Sequence, residues 1–182
     1  MTDGAGDLER WAADARAREM ADARVRERWL RAQAEEESSL AGVLLALAER
    51  RETVLLTTVA GRRYRGAVLG VGKDFAAVET PAGPTTLIAL AVVGDVRVVR
   101  EGPGRGPAAT GAGGELGVRL VDVLAQAAGQ RPRVSVQAGA AAVVGDLRAV
   151  GSDVLTIRAD GDAGVVYVGL GSLSEVSFLA SG

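Results

Sequence analysis

Gly66-Ala67-Val68-Leu69-Gly70-Val71-Gly72-Lys73-Asp74-Phe75 returns later in the chain as Gly145-Asp146-Leu147-Arg148-Ala149-Val150-Gly151-Ser152-Asp153-Val154. Gly66 and Gly145, Gly72 and Gly151, and Asp74 and Asp153 all stand 79 residues apart. A self-similarity of this length means two copies of one small unit. Outward from the first stretch, alternating apolar residues and turn signals predict strands at 54–60, 64–71, 75–80, 85–90 and 93–99. Leu40, Val43, Leu44 and Leu47 fall on one face of a short helix in front of them. The second copy repeats that order, with a helix at 116–128 and strands at 134–138, 142–149, 154–159, 165–169 and 173–179. Between the copies runs EGPGRGPAATGAGGE, whose two Pro and six Gly predict a flexible linker.

Ahead of the repeats, residues 7–37 contain no Gly or Pro and are dominated by Ala, Arg and Glu, which predicts a long solvated helix. Trp11 and Trp29 are 18 residues apart, five helical turns, so with Val25 they are expected to form a narrow stripe that packs on the chain's own repeats, on a copy of the chain or on a partner helix. The boundaries that follow are a charged helical arm at 1–38, a first domain at 39–100, the linker at 101–115 and a second domain at 116–182.

The 182 residues contain no His and no Cys. That excludes thiol nucleophiles, histidine bases, His/Cys metal sites and disulfides, so no catalytic residue, metal or cofactor is expected. Apolar residues make up 48% of the chain but only two each are Phe, Tyr and Trp, so the core must be built from Val, Leu and Ala. The longest apolar stretch, at 40–48, is too short to span a bilayer, which needs about 20 residues. The N-terminus has no secretory pattern, so a cytoplasmic chain with no membrane partner is expected. Net charge is −2, but residues 53–100 carry six basic groups against three acidic ones. A polyanion would therefore prefer the first copy.

The stretch Gly61-x-x-x-x-Gly66-x-Val68-x-x-Val71-Gly72-Lys73-Asp74-Phe75 resembles the first motif of the Sm-like proteins in spacing. Val93-Gly94-Asp95-Val96 and Leu173-Ser174-Glu175-Val176 resemble the end of the second motif. The resemblance to this family of Sm, LSm and Hfq proteins covers about 40–100 and 116–180. The overall pattern also resembles proteins of high-GC Gram-positive bacteria. It implies a mainly β fold with helices: two tandem Sm-like (SH3-type) five-stranded barrels, each preceded by a short helix, plus the long N-terminal helix. It also implies RNA binding and assembly, yet the family's RNA-contacting residues do not carry over. Ala76 and Leu155 occupy the position of its base-contacting Asn, and Leu90-Ala91-Val92 and Leu170-Gly171-Ser172 that of its Arg-Gly pair.

The candidate nucleic-acid site is Arg62, Arg63, Tyr64 and Arg65 with Lys73, since guanidinium forks suit phosphate. Its counterpart in the second copy is apolar: Ala142, Val143 and Val144. Asp160-Gly161-Asp162 offers too few oxygens for a calcium loop and reads as a hairpin turn. Two functions are left side by side, both non-enzymatic. One is an RNA- or nucleic-acid-associated regulator acting through the basic first copy. The other is a structural or protein-interaction scaffold that self-associates through barrel edges and the N-terminal helix.

Overall fold

The computed structural model describes residues 39–81, 83–99, 113–161 and 164–180, with Arg16, 19–21, 23–27 and Trp29 of the arm. Met1–Ser39 and Leu40–Gly182 are two separate compact units. In the first, the described residues from Arg16 to Trp29 are helical; the rest of the helix expected over 7–37, Trp11 included, lies outside the described residues.

In the second unit each copy opens with a helix, α1 (Leu40–Glu49) and α2 (Leu120–Ala128). The apolar spacing of α1 buries Leu44, Leu47 and Ala48. That of α2 buries Leu120 and Leu124. Both helices run into an arginine in the left-handed region, Arg51 at φ 55° and Arg131 at φ 52°. The same non-glycine strain of about 1 kcal/mol is thus accepted at matching places. Five strands follow α1: β1 (Thr53–Thr58), β2 (Arg63–Val71), β3 (Phe75–Glu79), β4 (Thr85–Ala89) and β5 (Val93–Val98). After the linker come a two-residue strand, β6 (Gly114–Glu115), then β7 (Arg133–Ala138), β8 (Ala141–Val150), β9 (Val154–Ala159), β10 (Val165–Gly169) and β11 (Leu173–Phe178). The chain repeats even in its turns, with 3₁₀ turns at Leu90–Val92 and Leu170–Ser172. Leu90 N–H donates to Asp74 O at 2.9 Å, as Leu170 N–H does to Asp153 O at 2.7 Å.

The two closed barrels implied by the Sm resemblance do not form. The strands make one open 11-stranded sheet in the order β10-β9-β8-β7-β11-β4-β3-β2-β1-β5, with β6 beside β2. Every pairing on that path is antiparallel; β6 runs parallel to β2. The physical reason lies at the end of each copy. After its 3₁₀ turn the last strand leaves β4 and pairs with the copy's first strand: β5 with β1, and β11 with β7. The outer edge of β4 is thereby left open, and β11 of the second copy takes it, with Glu175↔Ile88, Val176↔Leu87 and Ser177↔Thr86 in register. An open edge is a row of unpaired backbone groups, so this pairing satisfies two edges at once.

The linker expected over 101–115 is also revised at its end. Gly114 and Glu115 pair with Gly70 and Val71. Leu116 N–H donates to Val71 O at 2.8 Å and Lys73 N–H to Val118 O at 2.9 Å. With its backbone groups drawn to β2 and Gly117 at φ 66°, this stretch cannot join α2, which starts at Leu120 rather than 116.

Two cores result. One, in the first copy, gathers Leu44, Leu47, Val54, Leu56, Val68, Ala76, Val78 and Ile88. The other is built on the second copy but includes Phe75, Ala77 and Leu87 of the first. The recurring glycine has a steric cause. A Cβ on Gly66 would sit 1.9 Å from Glu79 O, and one on Gly145 would sit 2.1 Å from Arg158 O. Each lies just before a register shift, between Val68 and Gly70 or between Leu147 and Ala149, that bends the long strand. Gly66→Ala and Gly145→Ala should each lower stability by roughly 1–3 kcal/mol in chemical denaturation. Gly171→Ala, where a Cβ meets nothing within 4 Å, should stay within about 0.5 kcal/mol.

Candidate functional site

The residues singled out as a basic patch are divided among three places. Alternation along β2 turns Arg63 and Arg65 outward, where both are exposed, and turns Tyr64 to the other side, half-buried. Arg62, in the turn before β2, reaches toward Tyr64 and the second copy. Its Nε donates to Tyr64 Oη at 3.1 Å and lies 2.8 Å from Glu175 Oε2. Its Nη1 donates to Gln137 Oε1 at 3.1 Å. The Tyr64 hydroxyl donates to Glu175 Oε2. Lys73 lies beyond the other end of β2, on the order of 25 Å away along nine residues of strand. It borders a shallow hollow with Ala41, Gly42, Leu45 and Glu115. The five residues therefore do not form one site. Of the partner-helix stripe, Val25 and Trp29 are exposed and Trp11 lies outside the described residues.

What the structure assembles instead is a polar bracket across the seam: Arg62 and Tyr64 from the first copy, Gln137 and Glu175 from the second. Glu175 comes from the middle of β11, where strand pairing to β4 and β7 leaves it only 3% exposed. Its second oxygen, Oε1, has no hydrogen-bond partner among the described residues. Arg62 neutralises the carboxylate from a half-exposed position, its guanidinium held more firmly protonated by the bond to Tyr64 and by the charge of Glu175. Burial raises the Tyr64 hydroxyl above its ordinary value, and its donation to Glu175 raises it further; the bond from Arg62 opposes this. A second polar tie, Thr86 Oγ1 to Ser177 Oγ at 2.8 Å, lies farther along the same strand pair.

Below the bracket, Asp74 in the β2–β3 turn accepts from Leu120 N–H at 2.7 Å and lies 3.6 Å from Arg119 Nε. One copy thus caps the helix of the next, a carboxylate at the positive end of its dipole. Asp122 accepts the Arg119 N–H at 3.1 Å and completes that start. Asp74, Ala89, Arg119, Leu120, Asp153 and Leu170 are among the residues lining an open hollow of about 440 Å³ at the seam. Neither hollow includes any of the four bracket residues. The bracket ties the two copies to each other through Arg62–Gln137, Arg62–Glu175 and Tyr64–Glu175. Among the described residues, no three acidic side chains gather as a metal site would require.

Gln137 and Glu175 were not foreseen as partners of this patch. Their signal was an acid and an amide inside otherwise apolar strands, but nothing local names an arginine 113 residues upstream of Glu175. No protein-family model, no curated protein and no solved structure matches the chain. The Sm resemblance therefore rests on glycine and aliphatic spacing alone.

Two outcomes follow from the bracket. In a Tyr167→Phe chain, Tyr64 is the only tyrosine, and its absorbance titration should fall above pH 10. Because its folded value is raised, the stability it contributes is complete below about pH 10 and is lost as pH climbs through the raised value. A Tyr64→Phe chain should lack that alkaline loss. Arg62→Ala, which leaves the buried carboxylate without its cation, should cost roughly 1–3 kcal/mol in urea unfolding, while Arg63→Ala stays within about 0.5 kcal/mol.

Proposed function

We propose that this chain is a non-enzymatic structural and protein-interaction scaffold that works through the edges of its sheet. The observation that carries the reading is the use made of Arg62 and Tyr64. These two members of the candidate nucleic-acid site are spent on Glu175 and Gln137, in a contact between the two copies within the chain. Arg63 and Arg65 remain exposed, yet with Lys73 a strand's length away they make too small a cationic surface to hold a polyanion. Among the described residues, the outermost strands β5 and β10 each keep one open edge. Strand addition at such an edge supplies backbone hydrogen bonds, and alternate side chains supply selectivity.

A cytoplasmic location belongs to the same proposal; a chain without cysteine draws nothing from an oxidising compartment. Among the described residues no helix is long and apolar enough to cross a membrane. The test is fluorescence anisotropy of the full chain with labelled single-stranded RNA and DNA at low salt. No saturable binding is expected. Binding that weakens steeply with salt and disappears in an Arg63→Ala/Arg65→Ala chain would overturn the reading in favour of a nucleic-acid regulator.

A further inference from the structure

The seam between the two copies is a head-to-tail contact, and the chain ends its sheet with the two halves of that same contact unused. The equivalences fix what those halves are. Each copy orders its strands alike, β4-β3-β2-β1-β5 and β10-β9-β8-β7-β11, so β10 corresponds to β4 and β5 to β11. Inside the chain β4 pairs with β11; among the described residues β10 and β5 are left with open edges. We infer that a second copy of this chain pairs its β5 with β10 of the first, reproducing the internal seam between molecules. This rests on the scaffold reading and names its partner.

Matching positions on the two sides of the seam carry the inference. On the helix side, Leu120 is 6% exposed beneath the first copy, whereas its equivalent Leu40 is 37% exposed and Val43 is 39% exposed. In the last strand, Leu173 and Val176 are buried, while Val93 and Val96 are only partly so and Val98 is exposed. On the strand side, Leu87 is 5% exposed, and its equivalent Tyr167 is 71% exposed. The chain thus keeps apolar side chains at outer positions matching those the inner seam covers. The reciprocal cap is present as well. Asp74 accepts the first N–H of α2, and its equivalent Asp153 is exposed, free to meet the first N–H of α1 at Leu40.

The edge itself agrees. β10 reads Val165-Val166-Tyr167-Val168-Gly169, with no charge and no proline to discourage pairing. Ala159 N–H donates to Gly164 O, so alternation along the β9–β10 ladder turns the N–H groups of Val165 and Tyr167 to the open side. Val99 N–H likewise donates to Thr53 O, which turns those of Val96 and Val98 outward from β5. Carrying the seam register across gives Val168 opposite Asp95, Tyr167 opposite Val96, and Val166 opposite Arg97. The bracket has no counterpart here, since Ala141 and Val143 stand where Arg62 and Tyr64 do. Without it, the contact between molecules is a reversible version of the one within them.

The test is the mass of the full chain measured by analytical ultracentrifugation at concentrations up to about 1 mM, which corresponds to about −4 kcal/mol of association. Tyr167→Pro blocks the β10 edge while sparing its ladder to β9; Leu40→Glu with Val43→Glu blocks the helix side and sets acids against Asp153. The expected result is unmodified chain that grows beyond a dimer with concentration, either blocked chain alone monomeric, and an equimolar mixture of the two forming a one-to-one dimer and nothing larger. Circular dichroism melts near the unmodified value show that both variants fold. Asp153→Ala, an exposed change, gives a second reading: weaker assembly with an unaltered melt. The inference fails if the unmodified chain stays monomeric throughout, or if the mixture does not combine. It also fails if only the β10 block dissociates the assembly, the mark of a symmetric β10–β10 pair. A monomer that binds no nucleic acid sinks this inference and leaves the scaffold reading in place; RNA binding through Arg63 and Arg65 sinks the reading itself.

Discussion

The pairing of β4 with β11 is the constraint on which the remaining structure hangs. Each copy has about 60 residues, a size at which a single core is marginal. With so few aromatic residues the copies must fill their interiors with Val, Leu and Ala, which bury less area apiece. Strand pairing at the seam answers this by giving the first copy's sheet two covered faces. Ala76, Val78 and Ile88 point into its own core, while Phe75, Ala77 and Leu87 point into the core of the second copy. Strands β3 and β4 are thus apolar on both sides, as a sheet buried on both faces requires. Strand β9 is apolar mainly on one: Leu155 and Ile157 are buried and Arg158 is exposed.

An apolar seam alone would fix proximity but not register. Sliding β11 by one residue on β4 would turn Val176 outward and bring its neighbours in. Glu175 makes such a slip costly. A carboxylate 3% exposed is tolerable only where Arg62 and Tyr64 can reach it, and they reach it in one register. The orphaned Oε1 shows that the bracket is not an ideal pair. It gives up some stability, and in return the wrong alignment has nowhere to put its charge.

The elements within each copy were legible because they are written locally. The helix spacing of Leu40, Leu44 and Leu47, the alternation of β1 and β2, and Gly66 with its echo Gly145 need no distant partner to be read. The seam was illegible for the opposite reason. Nothing in 85–89 or 173–178 says whether a strand closes its own barrel or crosses to another copy, because both choices bury the same alternating side chains. Arg62 is the sharpest case. Beside Arg63 and Arg65 it reads as part of a cationic face, and only the fold brings it to Glu175. The start of α2 failed more simply: Leu116 fits the helical stripe, but its N–H is already committed to Val71.

Divergence between the copies then acquires a physical meaning. Positions that close the core are alike in both, whereas the positions of the bracket are not: Arg62 and Tyr64 against Ala141 and Val143, Gln137 and Glu175 against Thr57 and Asp95. Asp95 is not free to play the part of Glu175 either, since Arg97 on its own strand holds it at 3.0 Å. A charge paired within its own strand has no need of a neighbour, while one that is neutralised across the seam commits the two copies to each other. Inside the chain the contact is covalently tethered and can carry a buried acid. At the ends, where by our inference a second copy docks and must surrender translational and rotational freedom, only apolar contacts and backbone edges would serve. In the assembly we infer, one interface would be built at two strengths, and the difference would lie in four side chains rather than in the fold.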